Sequence, residues 1–217
     1  MSISITTLLL MLPGAFFAPV LHEFVKARVS SALGDKTPKH NGFITWNPFK
    51  FFEPIGFIFM LIFRVGWGQP VTTSPFYYKD KRKGIILTYT APIIANLLVG
   101  MLTIFLLSMF KVPLLDFALR ISVNTDTTWP FRAYFHLRDS IYLFGLLNIR
   151  LAVFNLIPVY PLAMNKMINV FISPETSMSL NHNEKIMQIL LIILLLFGVV
   201  NRFVSPVSNI FVNAVSF

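Results

Sequence analysis

The chain has no cysteine, which excludes a disulfide framework and any thiolate metal site, so a metal could be held only by His, carboxylate or amide groups. Charge is also scarce. Asp and Glu number 9 against 18 Lys and Arg, and all four types together make up 12% of the 217 residues. That is little for a soluble domain. No internal repeat or low-complexity tract is visible, so residues 1–217 are expected to pack as one membrane domain.

What is abundant is apolar surface. Hydrophobic residues make up 55% of the sequence, 23 of them Phe, and the mean hydropathy is +0.70. The net charge of +9 does not point to nucleic acid, because 10 of the 18 basic residues fall within 26–83 beside hydrophobic segments. Cytoplasmic loops of membrane proteins collect Lys and Arg in this way. The expected surroundings are therefore lipid bilayer and a membrane protein partner, with no nucleic acid.

A spanning helix needs about 20 apolar residues. With their flanks, the runs 3–21, 85–110, 141–157 and 186–200 predict four. The first has no basic leader, and Pro13 and Pro19 interrupt it, so it reads as a retained, kinked helix. The run 55–63 is too short: at 1.5 Å per residue it reaches about half of a roughly 30 Å hydrocarbon core. A re-entrant segment over 55–65 is expected. Basic stretches before it (Lys26, Arg28, Lys36, Lys39, Lys50) and after it (Lys79, Lys81, Arg82, Lys83) place both on the inner side. The segment 111–139 mixes four basic with three acidic residues and reads as an outer loop, which puts the N-terminus outside. Trp46, Trp67, Tyr77 and Tyr78 would form an interfacial belt, with Arg64 as an anchor.

Between 34 and 54 the pattern changes. Asn41-Gly42 is a turn signal, and Phe43-Ile44-Thr45-Trp46 is β-branched and aromatic. Either a short strand or hairpin at the membrane surface, with an edge open to an extended peptide, or an amphipathic loop accounts for it.

The unusual residues are the charged ones at membrane depth. Glu23 follows His22 in the first apolar helix, where a carboxylate costs about 2.5 to 3.5 kcal/mol on insertion scales and needs compensation. In a His-Glu-x-x-His motif two imidazoles one turn apart hold zinc, and the Glu serves as general base. Here Lys26 stands where the second His would be. A protonated amine has no lone pair and repels a cation. At i and i+3, however, it can pair with Glu23, replacing metal charge with ammonium charge. Arg150 is the other such residue, and its alternatives are structural neutralisation, with Glu23 as an attractive partner in a Glu23-Lys26-Arg150 cluster, or contact with a bound partner. Asn96, Asn148 and Asn155 have a plain reading as helix-to-helix hydrogen bonds.

An ordered series of motifs resembles the site-2 protease family of intramembrane zinc proteases. After His22-Glu23 it runs through Leu33-Gly34-Asp35 with Thr37, then Gly42, Thr45 and Asn47-Pro48. It continues with Glu53-Pro54-Ile55-Gly56, Gly66-Trp67-Gly68-Gln69-Pro70-Val71, and Phe154-Asn155-Leu156-Ile157-Pro158-Val159-Tyr160-Pro161-Leu162. The resemblance covers about 21–168. It implies a helical bundle of that family's type in a cell membrane, in keeping with a bacterial cytoplasmic membrane. It also implies a zinc site at His22, position 26 and position 163, and peptide-contacting roles for Asn155 and Asn96.

The chain departs from that pattern where the chemistry should be. The third ligand position is Ala163, followed by Met164, and Asn96 is displaced by one position relative to Pro92. Of three family ligands only His22 remains, whereas a catalytic zinc takes three protein ligands and water. His40, His136, His182, Asp35 and Asn165 are the other candidate groups, but His136 and His182 lie in other loops and their spacing shows no convergence. The expectation is an inactive homologue without zinc, Glu23 being a vestigial base, that binds a membrane protein or transmembrane segment. The alternatives are an active metalloprotease with a rearranged site and, more remotely, a solute pathway past Glu23, Lys26 and Arg150.

Overall fold

The computed structural model describes residues 4–125, 127–172 and 183–216. Its elements are helical: α1 (Ile5–Ala32), α2 (Thr37–His40), α3 (Pro54–Phe63), α4 (Lys81–Thr125), α5 (Trp129–Phe154), α6 (Ala163–Ile168), α7 (Glu184–Leu196) and α8 (Val199–Val215), with short 3-10 turns at Pro48–Phe51 and Pro75–Tyr77.

Two of these helices, α1 and α4, are long and apolar enough to cross a membrane. The chain is a membrane protein. The pair α7 and α8 would make a third span if counted together, but it bends by 73° at Gly198, whose φ is 70°. The run 141–157, expected as a span, lies mostly in α5, which falls short of the same test. Arg138, Asp139, Asn148 and Arg150 dilute its apolar run, and Gly145 through Phe154 are buried against other helices. That buried half forms the centre of the fold. Where α4 crosses it, a Cβ on Gly100 would lie 2.6 Å from the carbonyl oxygen of Gly145, so the two backbones touch with no room for a side chain.

Two expectations are corrected. The segment 111–139 is not a loop, since α4 runs on to Thr125 and α5 begins at Trp129. At 45 residues, α4 is about 67 Å long, more than twice a hydrocarbon core. Its far half is held by an Asp116–Arg120 pair one turn apart at 2.8 Å and by the Tyr134 hydroxyl donating to the Lys111 carbonyl at 2.9 Å.

The strand or hairpin over 34–54 is also absent, and no strand occurs among the described residues. Pro38 and Pro48 each open a helical turn, where a fixed φ and a missing N–H are tolerated but a strand ladder would lose a donor. Phe43 and Phe51 instead pack their rings 5.7 Å apart, and Phe51 meets Phe24 of α1 at 5.9 Å. Side-chain stacking, not strand pairing, fixes this segment on α1. The short apolar run becomes α3, ten residues long, and ends at Arg64 in the left-handed region with φ 57°.

Candidate functional site

Helical spacing puts His22, Glu23 and Lys26 on one inward stretch of α1, all buried. Lys26 Nζ donates to Glu23 Oε2 at 3.2 Å, with each side chain about one-tenth exposed. The same oxygen accepts the Val71 backbone N–H at 2.8 Å. Gly68 makes this approach possible: a Cβ there would lie 3.0 Å from the Pro19 carbonyl oxygen and 3.2 Å from Glu23 Cγ. The ammonium also sits 5.3 Å from the centre of the Tyr89 ring on α4, a favourable position for a partly desolvated cation.

A chain of amides orients His22. Asn148 donates from Nδ2 to the Phe144 carbonyl at 2.9 Å, which turns its Oδ1 toward Asn96. Asn96 Nδ2 donates to that Oδ1 and to the Ala18 carbonyl, each at 2.9 Å. Its own Oδ1 therefore faces His22 Nδ1 at 3.1 Å. An amide oxygen only accepts, so Nδ1 carries the proton and Nε2 keeps a lone pair. Asn96 is fully buried, with its oxygen and amide group engaged in this chain. The displaced Asn thus serves as an inner brace for His22.

His22, Glu23, Lys26, Gly68, Asn155 and Leu162 line a cavity of about 70 Å³. That volume suits a few water molecules rather than a peptide; the larger cavities of the molecule lie elsewhere. Asn155 anchors the turn that enters α6: its Nδ2 donates to the Leu151 carbonyl at 3.0 Å, and its Oδ1 accepts from the Ala163 N–H at 3.4 Å. Ala163, next after the cavity-lining Leu162, is buried in a separate cluster with Ile93 and Ala152.

The donor set is one imidazole nitrogen and a carboxylate held by an ammonium, and among the described residues no three His, Asp or Glu side chains come together. His40 and His136 are exposed on α2 and α5, and His182 lies outside the described residues. Asp35 is 1% exposed and receives Ser30 Oγ at 2.8 Å, the Thr37 N–H at 2.9 Å and the Ser74 N–H at 2.7 Å. Burial alone would raise the Asp35 carboxyl, but the Thr37 side chain, together with the Ser74 and Thr37 N–H groups and Ser30, holds it below its ordinary range. Asn165 is buried on α6.

Arg150 does not join the Glu23–Lys26 pair. Its guanidinium donates to the Arg64 carbonyl at 3.0 Å, to Ser205 Oγ at 2.9 Å and to Asn201 Oδ1 at 2.6 Å. It ties the end of α3 to α8. The expected three-way charge cluster is thus an ion pair in one place and an Arg held by neutral acceptors in another, because Arg150 projects toward the α3–α8 side of α5.

Sequence reasoning missed Val71 and Tyr89. The first is 48 positions from Glu23, so no local pattern links them. Tyr89 and Asn96 are seven apart on α4, which places them two turns apart on one face; that spacing was the available signal.

No family model matches the chain, and no solved structure matches it with significance. It is similar to a protein of Bacillus subtilis (strain 168) named "Putative zinc metalloprotease YwhC", with 26% identity over 189 residues, which are 87% of this chain and 77% of that protein.

Proposed function

We propose that this chain is a catalytically inactive relative of the site-2 proteases, a multi-pass protein of the cell membrane that holds a membrane protein partner or transmembrane segment without cutting it. The observation that carries this reading is the Lys26 ammonium on Glu23 at 3.2 Å, in the position a second zinc-binding imidazole would take. A general base must offer a lone pair to a metal-bound water. Here one carboxylate oxygen accepts from both an ammonium and an amide. The distant likeness to a protein named as a zinc metalloprotease supports the ancestry. So does the amide chain on His22, of the kind that orients metal-binding imidazoles. An apolar groove of about 510 Å³ beside α1, lined by Phe17, Val20, Leu21, Phe24, Trp46 and Phe51, supports a membrane partner; Trp46 is 82% exposed.

Metal content of the purified protein tests this, with Lys26→His and Ala163→Asp combined as a gain-of-site control. We expect less than about a tenth of an equivalent of zinc in the native protein, rising toward one in the double variant. A full equivalent in the native protein would favour the second reading, an active metalloprotease with a rearranged site. The free lone pair on His22 Nε2 is the observation on that side. Chelator-sensitive cleavage lost in Glu23→Gln would then establish it.

A further inference from the structure

We propose that the groove beside α1 seats a partner's transmembrane helix that carries a carboxylate one turn beyond its apolar contacts, with Arg28 as the residue that takes the carboxylate. This names the chemistry of the partner and rests on the function proposed above. From α1 the groove is lined by Phe17, Val20, Leu21 and Phe24, which recur at helical spacing as one apolar stripe about 10 Å long. Arg28 follows on the same face one turn later, about 6 Å further along the axis. Its guanidinium lies 5.1 Å from the Phe24 ring centre and 5.0 Å from that of Trp46. Both rings wall the groove, and their centres are 5.1 Å apart.

Ring faces stabilise the cation but leave its N–H donors without acceptors. Arg28 Nε is buried and has no hydrogen-bond partner, and the ion pairs among the described residues lie elsewhere. Among the described residues no carboxylate lines the groove, and the acid of α1, Glu23, is engaged by Lys26 and the Val71 N–H. A guanidinium that has given up water and gained no acceptor is costly. A carboxylate is its natural counterpart, since the planar fork accepts two oxygens at once. Arg28 as a whole is half-buried, so the fork stays within reach of a helix lying in the groove.

A stripe two turns long matches the way one helix seats in the groove of another, through side chains at i, i+3, i+4 and i+7. The partner's Asp or Glu then stands three or four positions past its last apolar anchor. A phospholipid also joins an anion to hydrocarbon, but its phosphate moves with the lipid. The fixed offset between Phe24 and Arg28 suits a charge fixed on a helix.

The test uses the full-length protein in phosphatidylcholine nanodiscs. The chain has no cysteine, so one added at its end takes a single label, and energy transfer to labelled apolar helical peptides reads binding. The peptides have neutral ends and carry Glu, Gln or Lys at one position, four residues past an apolar stripe. We expect the native protein to bind the Glu peptide at least about tenfold more tightly than the Gln peptide. Arg28→Gln should remove that preference, and Arg28→Lys, which lacks the fork, should restore only part of it. Arg28→Glu should turn the preference toward the Lys peptide, whereas Arg202→Gln on α8 should leave it unchanged. Moving the Glu by two positions carries it to the far side of the peptide and should abolish the gain. Equal binding of the Glu and Gln peptides, or binding of neither, would overturn the inference while leaving the inactive-homologue reading in place. Cleavage of the peptides would overturn that reading and not the preference set by Arg28. Phosphatidylglycerol binding that depends on Arg28, with no preference for Glu, would assign the guanidinium to lipid and so overturn the inference as well.

Discussion

Two buried cations in this fold are neutralised in opposite ways. Lys26 has a carboxylate at 3.2 Å and an aromatic face at 5.3 Å. Arg150 has no acidic partner among the described residues and relies on a carbonyl, a hydroxyl and an amide oxygen. The difference follows from chemistry. A compact ammonium concentrates its charge and is best matched by one opposite charge, whereas a planar guanidinium spreads its charge over five N–H groups that separate acceptors can share. Hence Lys26 acts within one helix, and Arg150 bridges α5 to α3 and α8. The first arrangement is an ion pair one helical turn long; the second is a fastening between helices.

The largest effect expected from breaking this comparison is at Lys26. Lys26→Ala leaves Glu23 buried with a single amide donor, and removing one member of a buried pair costs about 3 to 5 kcal/mol. Reversible unfolding in detergent measures it. Combining Lys26→Met with Glu23→Gln should recover most of that loss, because no buried charge remains. A single Lys26→Ala variant as stable as the native protein would mean that Glu23 is neutralised by something other than the ammonium.

At Arg150 the balance is different, because the substitution removes an expensive charge as well as its hydrogen bonds. Arg150→Met strands the Arg64 carbonyl, Ser205 and Asn201, and we expect a net cost of about 2 to 3 kcal/mol. The partners should be coupled. In a double-mutant cycle, Arg150→Met and Asn201→Leu should show about 1 kcal/mol of interaction. An additive result would separate Arg150 from the packing of α8 and put it back among candidates for contact with a partner.

The same contrast explains how much was legible in the sequence. The Glu23–Lys26 pair is local, three positions apart on a helix, and could be read from spacing alone. The partners of Arg150 are 86, 51 and 55 positions away, and only the folded arrangement of α3, α5 and α8 selects them over Glu23. Asn96 could be read as a polar group inside the membrane, but its role as a brace for His22 depends on Asn148 from another helix. The segment 43–46 misled in the other direction. Its β-branched and aromatic residues suit a strand, yet with no partner strand among the described residues Phe43 packs on Phe51 and Trp46 on Phe24 of α1, and the prolines at 38 and 48 take the flanks into helical turns. Likewise the mixed charges of 111–139 read as a loop, although Asp116 and Arg120 are one helical turn apart and support the helix they seemed to exclude.

The smallest effect sharpens the comparison from the acidic side. Asp35 is a buried carboxylate held, like Arg150, by neutral groups: a hydroxyl from α1 and two backbone N–H groups. Asp35→Asn must turn an NH₂ toward one or more of those donors, at a cost of about 1 to 2 kcal/mol. Its signature is in the pH dependence. The donors hold the folded carboxyl below its ordinary value of 3.8, so on acidification the unfolded chain takes up the proton first. The stabilisation is therefore complete well above 3.8 and is lost as pH falls through the lowered folded value. Melting temperature measured from neutral pH downward should fall less steeply in Asp35→Asn than in the native protein, with the two curves converging in acid. Parallel acid limbs would show that the three donors hold the loop by geometry alone and that the charge on Asp35 contributes nothing to it.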